Sequence, residues 1–321
     1  MTADRLSTTD LLREMEQVVE TNLNRHLATA KEWFPHEYVP WSQGTDYDGV
    51  LGGEAWAPDQ STLSDVARTS LIVNLLTEDN LPSYHHEIAT LFGRDGAWGT
   101  WVHRWTAEEG RHGIAIRDYL LATRAVDPVA LERARMTHMA AGFTNAYADD
   151  TALHGIAYVS FQELATRVAH RNTGRISGDP LCDQLLARVA ADENLHMVFY
   201  RNLLGAAFDL APNEAMRAVC EVVKTFQMPG HGIENFSRKS VQIAMAGIYD
   251  LRIHHDEVIT PVLRNLRVFE LEGLFDDGEK ARDELAAFMV ELDRSATRFT
   301  ERRDKLEAAK ASRAGSASKP A

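Results

Sequence analysis

Two short segments of the chain pair a glutamate with a histidine three residues later. Glu109 and His112 form the first pair, Glu193 and His196 form the second, and the 321 residues contain no other Glu-x-x-His. Residues three apart are neighbours on one helix face, so each pair can present a carboxylate and an imidazole to one ion. Both pairs interrupt apolar stripes, which predicts that they face a helical core.

Each pair follows a single glutamate placed about thirty residues earlier. Glu78 precedes Glu109 by 31 residues, and Glu163 precedes Glu193 by 30. These two glutamates also lie on apolar helical faces, so the chain carries two copies of one unit on two pairs of helices. One Glu from each of two helices and one Glu-x-x-His from each of the other two is the ligand inventory of dinuclear iron and manganese sites in bundles.

Charge balance supports a metal site. Four buried carboxylates without partners would each cost several kcal/mol, or would take up protons. Two divalent ions would balance the four negative charges, and mixed carboxylate and imidazole ligands suit iron or manganese. The alternative is a set of unrelated surface glutamates and two core histidines, which the apolar faces around all six residues disfavour.

Helical periodicity dominates the rest of the chain, and strand signals are almost absent. The pattern predicts an all-α fold, a four-helix bundle core with additional helices, in a single domain over residues 1–306. A proline- and glycine-rich stretch over 34–60 is too broken for a helix. The small, polar residues 307–321 are predicted to be a disordered tail. The predicted helices cover residues 9–31, 61–91, 97–125, 128–140, 151–172, 179–207, 213–227, 234–248, 250–266 and 278–306.

Composition argues against several classes of protein. With 34 Lys and Arg against 47 Asp and Glu, the net charge is -13, so nucleic acids and anionic membrane surfaces would repel the chain. No apolar run approaches the roughly 18–20 residues needed to cross a bilayer. The first ten residues lack the apolar region of a secretory signal. Two cysteines, Cys182 and Cys220, make no disulfide framework. These features predict a soluble cytoplasmic protein.

Around the six candidate ligands the sequence resembles the soluble acyl-(acyl-carrier-protein) desaturases of plants and actinobacteria, within the ferritin-like diiron superfamily. The matching stretches are KEWFPHEYVPW (31–41), LTEDNLPSY (76–84), RWTAEEGRHG (104–113), SFQELATRVAHRNTGR (160–175) and ADENLH (191–196). The resemblance implies a homodimer of ferritin-like bundles. It also implies that two irons per subunit are bound by Glu78, Glu109, His112, Glu163, Glu193 and His196.

The resemblance assigns roles to three further residues. Asp192 and Trp33 match positions that connect a metal-bound histidine to the surface and are associated with electron entry. A carboxylate behind a ligating histidine commonly orients its ring. Thr166 matches a threonine near the oxygen site that could relay protons. Simpler alternatives stay open: an ordinary helix acid for Asp192, a core aromatic for Trp33 and helix packing for Thr166.

The implied activity is oxidative desaturation of a fatty acyl chain carried by an acyl carrier protein, with O2 and electrons from reduced ferredoxin. Breaking an unactivated C–H bond requires such a cofactor, because side-chain acids and bases cannot do it. One alternative is a related diiron oxygenase, such as a hydroxylase or an N-oxygenase. Another is a ferritin-like iron-storage protein, although such a subunit needs only about half this length.

The chain departs from the plant pattern inside these motifs. Gly110 replaces an asparagine, and Asn194 and Leu195 replace a Lys-Arg pair that helps to hold the phosphate-bearing carrier. Because the carrier is acidic, docking to this acidic chain requires a local basic patch. One candidate, which could equally be a solvated helix face, is the stripe formed by Arg167, Arg171 and Arg175.

Overall fold

The computed structural model describes residues 7–143, 151–230 and 232–317. Helices dominate these residues, which contain no strand beyond an isolated bridge between Tyr47 and Glu54. The predicted all-α fold is confirmed. The helices are α1 Thr8–Thr29, α2 Asp65–Asp79, α3 Leu81–Phe92, α4 Gly96–Ala122, α5 Pro128–Ala141, α6 Ala152–Ser177, α7 Pro180–Leu210, α8 Pro212–Thr225, α9 Phe236–Met245, α10 Leu251–Ile253, α11 Thr260–Asn265 and α12 Asp277–Ala317.

Four helices begin at a residue whose side chain caps the first turn. Ser7, Ser64, Asp127 and Asp179 each accept a hydrogen bond from a backbone N–H at the start of α1, α2, α5 and α7. These bonds satisfy donors that a helix start otherwise leaves unpaired. The local sequence therefore sets where α1, α2, α5 and α7 begin.

The helix predicted over 61–91 is two helices, α2 and α3, separated at Asn80. Pro82 lies in the first turn of α3 and lacks the N–H that would bond the Glu78 carbonyl in a continuous helix. The Asn80 side chain accepts a hydrogen bond from Ser83 and donates one to the carbonyl of Gly142. Glu78 therefore lies in the last turn of α2, next to the break.

Helices α2, α4, α6 and α7 form the core bundle. The most extensive interface joins α6 and α7, which are connected by Gly178 in a left-handed conformation with φ of 73°. Helix α2 packs against α4 and α6, and α4 packs against α7. Helix α1 lies against α4 and α7, while α8 packs on α6 and α7, and α12 packs on α8.

A polar layer separates two apolar clusters inside the bundle. On α4, residues 98–105 belong to one cluster and residues 115–120 to the other. On α7, residues 182–189 and 197–208 divide in the same way. The Glu-x-x-His pair of each helix falls between the two clusters, so the apolar packing on both sides holds the candidate ligands in place.

Helix α12 continues to Ala317, so residues 307–317 of the predicted tail are helical in this structure. Their alanine, lysine and glutamate residues favour helix, which allows α12 to continue. Residues 318–321 lie outside the described part of the chain. Among the described residues, no helix combines the length and apolar character needed to cross a membrane.

Candidate metal centre

The structure brings all six predicted ligands together in the bundle core. Around His112, the Nδ1 atom lies 3.7 Å from Glu78 Oε2, 3.5 Å from Glu109 Oε2 and 3.5 Å from Glu193 Oε1. Every one of these side chains is buried. Three carboxylates from α2, α4 and α7 therefore converge on one imidazole nitrogen.

His196 forms the centre of a second such group. Its Nδ1 atom lies 2.7 Å from Glu109 Oε1, 3.6 Å from Glu163 Oε2 and 3.9 Å from Glu193 Oε2. In both groups the candidate ligand atoms all lie within 4.8 Å of one another. Each group can therefore hold one metal ion.

The two groups share two carboxylates. Glu109 and Glu193 each place one oxygen beside His112 and the other beside His196. Glu78 belongs to the His112 group alone, and Glu163 to the His196 group alone. Glu109 and Glu193 are thus placed where they could serve both of two adjacent ions, whereas Glu78 and Glu163, here called the terminal carboxylates, could each serve one. The sequence spacing did not predict this sharing.

Hydrogen bonds hold the outer oxygen of each terminal carboxylate. His170 Nε2 lies 2.9 Å from Glu78 Oε1, and Asn74 Nδ2 lies 3.2 Å from His170 Nδ1. Since the Asn74 amide donates to Nδ1, the proton of His170 is on Nε2 and points to Glu78. Trp105 Nε1 donates to Glu163 Oε1 over 2.9 Å. The other oxygen of each carboxylate is left facing the histidines.

The candidate ligand atoms are poorly satisfied by one another and would be better satisfied by metal ions. Several buried atoms that face the centre have no hydrogen-bond partner: His112 Nδ1, Glu163 Oε2 and both carboxylate oxygens of Glu193. Burial raises the pKa of Glu163 well above its usual range, and the charge of Glu109 raises it further. Burial and Glu193 likewise raise the pKa of Glu109. Divalent cations would satisfy these atoms and relieve the repulsion.

Metal binding to this centre is expected to release protons and to strengthen as the pH rises. Because burial and neighbouring carboxylates raise the pKa of Glu109 and of Glu163, protons at these two groups compete with an entering ion. Calorimetric Co²⁺ titrations, in buffers of different ionisation enthalpy at mildly acidic and mildly basic pH, measure both effects. A pH-independent affinity without proton release would contradict this prediction.

Asp192 and Trp33 lie behind His112, on the side away from the other candidate ligands. Asp192 Oδ2 is 3.4 Å from His112 Nε2 and accepts a 2.7 Å hydrogen bond from Trp33 Nε1. Arg111 also donates to Oδ2 at 2.7 Å, and Arg188 donates to the other oxygen. Although burial opposes its charge, bonds to His112 and Trp33 and the charge of Arg188 lower the pKa of Asp192 to about 2. The aspartate is therefore a fixed anion at the back of the imidazole.

Thr166 lies in the wall of a pocket that reaches the candidate centre. Its hydroxyl donates to backbone carbonyls of its own helix, at 3.1 Å to Gln162 and 3.0 Å to Glu163. The pocket, of about 810 Å³ and partly open to solvent, runs between α3 and α6 from Glu78 and Glu109 to Gly155. Its apolar wall is formed by Leu81, Tyr84, Ile88, Leu91, Trp105, Phe143, Tyr158, Val159 and Pro229. Along α6 the pocket extends from His154 to Thr166, a rise of twelve residue steps or about 18 Å.

The candidate basic stripe is partly neutralised. Arg171 is 2.9 Å from the Asp183 carboxylate, whereas Arg175 is exposed and its guanidinium lies 3.4 Å from Asn172 Oδ1.

The sequence did not reveal several residues that contact the candidate ligands from outside. These are Glu108 and His26 beside His196, His170 beside Glu78 and Trp105 beside Glu163. For Glu108 a signal was present, because an acidic residue precedes each Glu-x-x-His.

A model of the fatty acid desaturase family matches residues 7–315. The chain belongs to this family. It is therefore an oxidoreductase, and the expected kinship with desaturases is confirmed. The putative acyl-[acyl-carrier-protein] desaturase DesA1 of Mycobacterium tuberculosis is 54% identical to this desaturase over 301 residues, 92% of this chain and 89% of that protein.

More distant relatives agree. Stearoyl-[acyl-carrier-protein] 9-desaturase 6 of Arabidopsis thaliana is 29% identical, over 86% of this desaturase and 73% of the plant protein. The crystal structure of the putative acyl-ACP desaturase DesA2 of Mycobacterium tuberculosis matches with a TM-score of 0.65 and 32% identity, over 80% of this chain and 98% of that chain. The ferritin-like helical fold predicted for this desaturase is confirmed.

Proposed function

We propose that this protein is a diiron acyl-[acyl-carrier-protein] desaturase, which uses O2 and electrons from reduced ferredoxin to place a double bond in a carrier-bound fatty acyl chain. One observation carries the proposal: six buried carboxylate and imidazole side chains are grouped for two ions, and two of them, Glu78 and Glu109, line an elongated apolar pocket. The names of the relatives supply the carrier-bound substrate.

The proposed reaction removes one hydrogen from each of two adjacent methylenes. One acyl chain, O2, two electrons and two protons give one unsaturated chain and two waters. When bound, the iron pair supplies the oxidising power for C–H bonds that no side chain can break. The protein positions the chain and keeps the surroundings of the reacting carbons dry.

Residues of the pocket fit the positioning role. Trp105 forms part of the apolar wall and also holds Glu163, so the wall and a terminal carboxylate are fixed together. Glu78, Glu109 and Thr166 border the same pocket. We propose that an acyl chain lies between α3 and α6 with its reacting carbons beside these residues, and that the Thr166 hydroxyl relays a proton there.

Replacing Asp192 with asparagine is expected to lower desaturase turnover about 10–100-fold. We propose that electrons enter along Trp33, Asp192 and His112, and the substitution removes the charge that joins Trp33 to His112. Turnover with reduced ferredoxin, and the rate of iron reduction measured separately, test this role. Asp304→Asn, an exposed change on α12, is the control. Wild-type values for both rates in Asp192→Asn would contradict the role.

The partners and organisation also belong to the proposal. An acidic acyl carrier protein would dock near the pocket mouth, and ferredoxin near Trp33. We further propose a cytoplasmic homodimer in which residues 1–306 form one domain. Two buried free cysteines, Cys182 and Cys220, agree with a reducing compartment.

Mass spectrometry of the acyl products tests the function. The iron-loaded protein is incubated with reduced ferredoxin, O2 and acyl carrier proteins that bear chains of several lengths. We expect a product two hydrogens lighter, formed only when O2 and reductant are both present. An oxygenated product would instead indicate a hydroxylase. Stoichiometric iron with unchanged substrates would contradict desaturation, and large iron cores on sizing would indicate storage.

A further inference from the structure

The carboxylate of Glu108 lies within hydrogen-bond distance of His196 Nε2, the ring nitrogen that faces away from the candidate metal centre. Its Oε2 atom lies 2.9 Å from His196 Nε2 and 2.9 Å from His26 Nε2, and the carboxylate is buried. Arg104, one helical turn earlier on α4, binds the other oxygen. One carboxylate oxygen thus joins two imidazoles that lie 170 residues apart in the chain.

This contact has a counterpart on the other side of the centre. Asp192 lies behind His112 as Glu108 lies behind His196. In both cases the acid immediately precedes a Glu-x-x-His segment, yet it contacts the histidine of the other segment. The two segments therefore support each other crosswise, α4 holding the imidazole of α7 and α7 holding that of α4.

Hydrogen bonding at Glu108 selects the tautomer of His196. An ionised carboxylate only accepts hydrogen bonds, so both nitrogens that face Oε2 must carry protons. The proton of His196 is then on Nε2, and Nδ1, which faces Glu109 and Glu163, supplies the lone pair for a metal ion. Without the carboxylate, the hydrogen bond from Nε2 that favours this tautomer over the one with the proton on Nδ1 is lost.

Packing in turn fixes His26. Its ring lies 5.1 Å from the Trp101 ring in an edge-on arrangement and is stacked on His196 at 5.8 Å between centroids. His26 is buried on the inner side of α1 and also borders a second pocket, of about 500 Å³, between α1 and α7. Helix α1 thereby contributes to the site although it carries none of the six predicted ligands.

We propose that Glu108 and His26 are positioning residues of the metal centre: Glu108 holds His196 in its ligating tautomer, and His26 holds Glu108. The inference rests on the proposed metal centre. Outer hydrogen-bond partners of this kind typically contribute 10–100-fold in metal affinity. Loss of Glu108 should therefore weaken the binding of one ion of the pair, the one bound by His196.

Equilibrium Co²⁺ titration of Glu108→Gln, followed by visible absorption, tests this. The variant is nearly isosteric, but its neutral amide oxygen accepts more weakly than a carboxylate oxygen, and its NH2 group would face the Arg104 guanidinium. We expect two ions in the wild type, and in the variant one dissociation constant raised about 10–100-fold with the other unchanged. His26→Phe should raise the same dissociation constant. His26→Gln keeps an N–H donor and should leave this constant near its wild-type value.

A double-mutant cycle separates positioning from a general structural effect. Glu108→Gln is expected to change the remaining affinity less than about twofold in a His196→Ala background, and to keep its full effect in a His112→Ala background. Circular dichroism and the melting temperature of the metal-free proteins check folding. If Glu108→Gln does not fold, the two His26 variants still decide the question.

Other results overturn the inference. Unchanged Co²⁺ constants in Glu108→Gln, or equal effects in both histidine backgrounds, would remove Glu108 from the positioning role. Unchanged constants in His26→Phe would remove His26. Binding of a third ion that is lost in Glu108→Gln would make His26, Glu108 and His196 ligands instead. A wild type that binds no pair of ions would contradict the proposed centre itself.

Discussion

Glu163→Ala is expected to lose at least one of two bound metal ions and to lower desaturase turnover by more than about 100-fold, since loss of an outer partner alone costs about 10–100-fold. Glu163 is fully buried, and its Oε2 atom lies 3.6 Å from His196 Nδ1. It belongs to the His196 group of candidate ligands alone. Iron content per chain and product formation are the measurements.

The fold of the metal-free protein should survive this change. Truncation leaves Trp105 Nε1 without its acceptor, which costs about 1–3 kcal/mol, but it also removes a carboxyl whose charge Glu109 opposes. Glu163→Gln keeps the volume and the bond to Trp105, and should still lose metal. Glu20→Ala, at an exposed site on α1, is the control. Normal iron content and activity in both Glu163 variants would remove this residue from the ligand set.

Gly155→Leu is expected to change which acyl chains the protein accepts. Gly155 lies in the pocket wall on α6, eight residues or about 12 Å before Glu163. A Cβ atom there would lie 2.9 Å from Leu91 Cδ1 and 3.5 Å from Phe92, so a leucine fills the space between α3 and α6. The kcat/KM for chains that reach this point should fall about 10–200-fold, whereas shorter chains should be spared.

Competition between acyl carriers of different lengths measures this ratio directly. Overpacking also costs about 1–3 kcal/mol of stability, so the melting temperature is recorded alongside. Gly205→Leu, on α7, places the same side chain at a helical glycine outside the pocket wall. An equal loss of kcat/KM for all chain lengths would show that the pocket does not select acyl chains by their length. An unchanged preference would show that the acyl group lies elsewhere.

Much of the site could be predicted from helix geometry. The i, i+3 spacing within each Glu-x-x-His and the position of Glu78 and Glu163 on apolar faces were enough to group six residues. The structure places all six together. Which carboxylates are shared could not be predicted, because this depends on how the four helices are rotated against one another.

The outer partners were harder to find, for a physical reason. Glu108 contacts His26 and His196, which lie 82 and 88 residues away, so only tertiary packing relates them. The break at Asn80 was predictable in part, because Pro82 cannot continue a helix. The apolar periodicity nevertheless runs through the break, so the pattern alone predicts one helix over 61–91.

Anomalous X-ray scattering from iron-loaded crystals tests the central claim most directly. Difference maps from data collected on both sides of the iron absorption edge should contain two peaks per chain. One should lie among Glu78, Glu109, His112 and Glu193, and the other among Glu109, Glu163, Glu193 and His196. A single peak, no peak, or iron bound away from these residues would contradict the assignment of a dinuclear centre.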